Sequence, residues 1–180
     1  MSQAISEGDG ISVIAQVSSL EDAHMADADG AEALAISREI SGLREATSLP
    51  ILWRGPDWES ARRAGADACT AGSDAEPPRL DDLELVAYVW DDEILAAALE
   101  ERDPEIFLLG APEGDALNLD EVFEAVLDLL PDVPAGKLAI AEVPAVRREQ
   151  VEALERAGVD AVLVGAGNVG DLVGTAPPEV

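Results

Sequence analysis

The chain has 180 residues, 48% of them apolar, which is enough for one core burying roughly 70% of the unfolded surface. Its 38 acidic residues against 11 basic ones give a formal charge of −27, a surface that repels nucleic acid and anionic membranes alike. No apolar run reaches the ~18 to 20 residues of a membrane helix, and the single cysteine, Cys69, leaves no partner for an intramolecular disulfide.

The opening residues 1 to 10, MSQAISEGDG, have neither the basic region nor the apolar stretch of a secretion signal. They are expected to form a flexible N-terminal segment of a cytoplasmic protein. Strand candidates follow in order: ISVIAQV (11 to 17), EALAIS (32 to 37), LPILWR (49 to 54) and DACTAG (67 to 72), where the apolar setting of Cys69 marks it as a buried thiol. LVAYVW (85 to 90), EIFLLG (105 to 110), KLAIAEV (137 to 143) and DAVLVG (160 to 165) complete the series. Each is short, apolar and free of alternation, as strands buried on both faces are.

Helical patterns are expected between them at 20 to 28, 39 to 47, 57 to 64, 91 to 102, 118 to 130 and 146 to 157. Ser19 stands three residues before Asp22, and Asn118 three before Glu121, the spacing of a capping box. In the last helix Val146, Val151, Leu154 and Ala157 share one face, and Gly158 ends it. Residues 73 to 84, with two prolines, leave room for one turn at most.

DGAEA (29 to 33), AGADA (64 to 68) and AGVDA (157 to 161) repeat one pattern, a glycine helix end that launches a strand. Eight alternating βα units imply either a closed barrel or an open doubly wound sheet. An open dinucleotide-binding sheet carries its glycine loop after the first strand, whereas here Gly165, Ala166, Gly167 and Asn168 follow the eighth. The expectation is therefore a compact single-domain (βα)8 TIM barrel, eight parallel strands with short loops over 11 to 173, and a tail at 174 to 180. Gly165, Gly167 and Asn168, followed by a short helix at DLVG, are candidates to hold a phosphate on backbone N–H groups.

SLPILWRG, RRAGADACTAGS, LVAYVWDDEILAAALE and residues 137 to 165 resemble, in order and register, strands three, four, five and seven to eight of indole-3-glycerol phosphate synthase, the tryptophan-pathway lyase. The resemblance spans about residues 11 to 173 and implies a small phosphorylated metabolite as ligand, with no cofactor. It also exposes substitutions. The family's strand-one glutamate and lysine fall on Gln16 and Ser18, its strand-three lysine on Arg54, its strand-five glutamate on Tyr88, and its strand-six asparagine region on Gly110 and Ala111. Only the strand-seven glutamate is kept, as Glu142, with Gly165 retained and Pro144 in place of a phosphate-binding glycine. Gln16 does not titrate, arginine stays protonated below a pH of ~12, and tyrosine starts from ~10, so Glu142 alone is left to exchange protons near neutrality.

Other residues at the strand ends suggest a different use. Arg38 and Arg54 are candidates to clamp an anion, with Tyr88 and Trp90 as an aromatic wall and Gln16 and Ser18 in the same pocket; alternatively the aromatics plug the barrel and both arginines pair with acids. The only histidine, His24, has Glu21 and Asp27 on its helix face, a solvated cluster rather than a metal site. The sequence thus supports three functions: an altered barrel without synthase chemistry and with a weak phosphate site, an active synthase, and a minimal barrel with no ligand.

Carboxylates are dispersed through the helices and loops, and Lys137 is the one lysine. This is the composition expected of a halophilic protein, because molar salt shortens the Debye length to ~3 Å and relieves self-repulsion. Thermal melts in dilute buffer and in molar KCl should therefore differ, with the higher midpoint in KCl. Equal midpoints would contradict the halophilic reading.

Overall fold

A computed structural model describes residues 1–6, 10–71, 83–112, 118–143 and 147–173. Eight parallel strands close into a barrel in sequence order: β1 (Ser12–Gln16), β2 (Ala33–Ile36), β3 (Ile51–Trp53), β4 (Ala68–Ala71), β5 (Glu84–Val89), β6 (Ile106–Leu109), β7 (Leu138–Glu142) and β8 (Ala161–Gly165). Closure is made by β8 on β1, with Ser12 beside Ala161 and Gln16 beside Gly165. All eight strand candidates are present, and closure leaves no apolar edge open to another chain.

Alternation within each strand divides the core in two. Ile14, Ala35, Leu52, Val86, Leu108, Ile140 and Leu163 fill the barrel interior. Their neighbours, among them Leu34, Trp53, Cys69, Phe107 and Val164, pack outward against the helices. The helices are α1 (Ser2–Ser6), α2 (Leu20–Ala28), α3 (Leu43–Ala46), α4 (Trp58–Arg63), α5 (Asp92–Glu101), α6 (Leu119–Leu129), α7 (Arg148–Ala157) and α8 (Val169–Val173). Among the described residues no helix is long and apolar enough to cross a membrane.

Helix starts follow the local chemistry. The Ser19 hydroxyl accepts from the Asp22 N–H at 3.1 Å. Asn118 and Glu121 form a reciprocal capping box, at 3.0 Å and 2.9 Å. The helix expected over 39 to 47 is a single turn, Leu43–Ala46, because Gly42 before it takes a left-handed φ of 79° that an α-helix does not continue through. Of the segment 73 to 84 only Leu83 and Glu84 lie among the described residues, and Val146, at the start of the last expected helix, lies outside them.

The repeat has a structural meaning. Gly30, Gly65 and Gly158 all adopt positive φ, at 94°, 69° and 104°. The next residue in each case donates back to a carbonyl five positions earlier: Ala31 to Ala26, Ala66 to Ala61, Val159 to Leu154. This closes the helix in a Schellman turn. The acidic residue that follows sews the incoming strand to the preceding one. Asp67 N–H donates to Ile51 O at 2.8 Å while its carboxylate accepts from Ile51 N–H at 2.8 Å. Asp160 does the same with Ala139, at 2.9 Å and 2.8 Å. Glu32 donates its N–H to Val13 O and accepts from the Ser12 hydroxyl at 2.5 Å.

The floor of the barrel is closed from the N-terminus. Alanines at 33, 68 and 161 leave interior volume there, and Ile5 of α1, only 4% exposed, packs into that cluster. Residues Ser2–Ser6 of the N-terminal segment form a helix, and its one isoleucine fills the space that the alanines leave. Glu84 at the start of β5 fastens it. Its carboxylate accepts from the Ser2 N–H at 2.8 Å, the Ser2 hydroxyl at 2.5 Å and the Met1 ammonium at 2.8 Å. Burial alone would raise the Glu84 pKa, but these donors outweigh it and hold the carboxyl below its usual 4.5. A depressed pKa contributes stability that is present above the unfolded value and lost as the pH falls through the folded one. Glu84→Gln is thus expected to lower the melting temperature at pH 7, and the gap from wild type should close as the pH drops below 4.5. A gap that stays constant into acid would show that the carboxylate is not what fastens α1.

Candidate functional site

The C-terminal mouth of the barrel gathers inward residues from most strands, as alternation from the interior core requires. Gln16 ends β1, Arg54 follows β3, Thr70 lies in β4, Tyr88 in β5, Gly110 follows β6, Glu142 ends β7 and Gly165 ends β8. Trp53 is not among them. Its neighbour Leu52 points inward, so Trp53 faces the helix layer and is 6% exposed.

Arg54 and Glu142 meet across this mouth. Arg54 Nη2 donates to Glu142 Oε2 at 2.8 Å, and Nη1 donates to Oε1, a fork on fork pairing that joins β3 to β7. Both side chains are about one-fifth exposed, at 20% and 21%. The Arg54 guanidinium also lies 5.7 Å from the Tyr88 ring centroid, within cation–π reach. Tyr88 in turn donates its hydroxyl to Ala111 O at 2.5 Å and packs at 5.4 Å on Trp90 with the rings tilted by 58°. Two buried polar atoms here have no partner among the described residues, Gln16 Oε1 and Arg54 Nε.

Gly110 relieves crowding in this packing. A Cβ on it would stand 3.1 Å from Tyr88 Cε2 and 3.2 Å from both the Tyr88 hydroxyl and Glu142 Oε2. On β4, the Thr70 hydroxyl accepts from the Gly55 N–H at 2.8 Å and so fixes the turn after β3. Sequence reading passed over Thr70, although counting inward alternation from Ala68 along β4 points to it.

The two arginines expected to clamp one anion do different things. Arg38 is exposed and donates to Ser18 O at 3.0 Å, while Arg54 is engaged by Glu142. Ser18, expected in the pocket, is exposed as well, with its hydroxyl given to Asp22 Oδ2 at 2.7 Å. That hydroxyl and the Ser18 N–H hold the Asp22 carboxyl below its ordinary range. The physical reason is local: the residue before a helix N-cap is drawn into capping chemistry and away from the barrel axis. Burial pushes the Cys69 thiol up to about 12, so it carries no thiolate near neutrality. Among the described residues no cluster of His, Cys, Asp or Glu is arranged to hold a metal, His24 and its neighbours included.

After β8, residues Ala166–Asn168 form a tight turn into α8, in which Val169 N–H donates to Ala166 O. Gly165 and Gly167 are exposed and Asn168 half-buried. A Cβ on Gly167 would meet nothing within 4 Å, so the space over the turn is open. Pro144, after β7, lies outside the described residues.

No protein-family model matches the chain. Known proteins do. Over 142 residues it is 35% identical to the indole-3-glycerol phosphate synthase of Acidithiobacillus ferrooxidans, a match covering 70% of this chain and 52% of that enzyme. The chain is a divergent relative of the indole-3-glycerol phosphate synthase family. The enzyme of that name from Bordetella pertussis is 33% identical over 137 residues, covering 68% of this chain and 51% of its own length. The one from Variovorax paradoxus is 36% identical over 83 residues, 46% of this chain and 30% of the relative. The chain spans about half the length of the first of these relatives.

Proposed function

We propose that this indole-3-glycerol phosphate synthase-like barrel does not run the synthase reaction, works in concentrated salt as a cytoplasmic protein, and retains a weak phosphate contact after β8. The observation that carries the reading is the state of Glu142. It is the one position that keeps the family's proton-transferring side chain, and both of its oxygens are taken by Arg54. An arginine fork is an acid too weak to give up a proton near pH 7, so the pair has no base and no acid to offer a substrate. Gln16 and Tyr88, at the other matched positions, add no group that titrates near neutrality, and the Tyr88 proton is already given to Ala111 O.

The phosphate contact would rest on backbone N–H groups of Gly165, Gly167 and Asn168, which need no lost side chain. Arg54, the expected side-chain partner, is occupied, and the −27 charge opposes any anion. A dissociation constant on the order of millimolar follows, worth about 4 kcal/mol. The sequence identity over two-thirds of the chain favours the second reading, an active carbon–carbon lyase of tryptophan biosynthesis.

The two are separated by assaying the family's substrate in molar KCl. The expected rate is that of the background, for wild type and Glu142→Gln alike, while phosphate titration shifts the Gly165 and Gly167 amides without tight saturation. Turnover that Glu142→Gln abolishes would establish the lyase instead.

A further inference from the structure

Arg54 already holds a carboxylate, and that carboxylate belongs to its own chain. We propose that Arg54 marks a binding site for a small carboxylate at the barrel mouth and that Glu142 is its internal occupant, so the site is self-inhibited. The inference rests on the reading of the mouth as non-catalytic and adds the ligand class to it.

Four observations carry it. The two N–H groups of Arg54 meet the two oxygens of Glu142 in the planar geometry that suits a carboxylate better than a tetrahedral anion. The Tyr88 ring lies 5.7 Å from the guanidinium, a contact to the fork that does not involve Glu142. Gly110 leaves out the one Cβ that would stand 3.2 Å from Glu142 Oε2, so room for a carboxylate there comes from the backbone and does not depend on Glu142. Finally, both partners are one-fifth exposed, so the pair is in contact with solvent at the mouth. Glu142 wins because it is tethered. An internal competitor has an effective concentration in the range of millimolar or above, and the −27 charge keeps external anions dilute near the surface.

The test uses the full chain in molar salt, with Glu142→Ala, Arg54→Ala and the double variant. Potassium acetate replaces KCl at constant ionic strength, and the melting temperature and the Gly110 amide shift are followed. Glu142→Ala should show a saturable rise in melting temperature and a saturable shift, at acetate concentrations at least about tenfold below any that affect wild type. Phosphate should shift the Gly110 amide more weakly than acetate does, and in the double variant that amide should respond to neither, whatever phosphate does at the separate turn after β8. Should Glu142→Ala fail to fold in chloride, recovery of its native circular dichroism in acetate is the same readout. An acetate response equal in wild type and Glu142→Ala, one that survives in the double variant, or a phosphate shift of the Gly110 amide as strong as that caused by acetate would overturn the proposal. Turnover that depends on Glu142 would overturn the non-catalytic reading, whereas a missing acetate effect without turnover overturns this inference alone.

Discussion

The mouth of this barrel depends on one ion pair. Arg54 follows β3 and Glu142 ends β7, on opposite sides of the ring, and their fork spans the mouth between them. Bringing two charges out of water costs several kcal/mol per ion when burial is complete, and that cost is offset only by good geometry and further contacts. Both conditions are met here: two directed hydrogen bonds, an aromatic face against the cation, and residual exposure that leaves part of the hydration in place. Tyr88, Trp90 and Gly110 are arranged around that pair. Without it, a half-buried carboxylate would be left facing Tyr88 with no cation to neutralise it.

The frame that brings the two residues together is assembled from repeated junctions. Each glycine helix end at 30, 65 and 158 turns the chain so that the next acidic residue stitches an even-numbered strand to the odd-numbered strand before it. Part of the high acidic content therefore has a structural duty. Glu84, holding α1 beneath the barrel, is another example, and its opposite number at the top is Glu142. Most other carboxylates lie on the surface, where they shape the long-range field without specifying the fold.

Strand order and closure were legible in the sequence because a strand buried on both faces reads as a short apolar run, and the glycine loop last in order excluded the open sheet. Helix starts at Ser19 and Asn118 were legible for the same local reason. The site was legible only in part. The family resemblance put Gln16, Tyr88 and Glu142 at inward strand ends, with which the alternation along each strand agrees, but it fails at the residue where the strand gives way to a cap, as at Ser18. Pairing across a barrel joins residues 88 positions apart, and nothing local to either Arg54 or Glu142 announces it. For the same reason Arg38 and Arg54 looked alike in sequence and differ in space. The packing of Ile5 into the floor was invisible because it depends on interior alanines contributed by distant strands.

The central claim is that Arg54 and Glu142 act as one unit, and a double-mutant cycle on folding stability measures that directly. Arg54→Ala, Glu142→Ala and the double variant are unfolded with urea in molar KCl, with each free energy taken from the linear transition. The account predicts a favourable coupling energy of about 1 to 2 kcal/mol, between the values of exposed and fully buried pairs. Additive effects, with a coupling below about 0.3 kcal/mol, would contradict it.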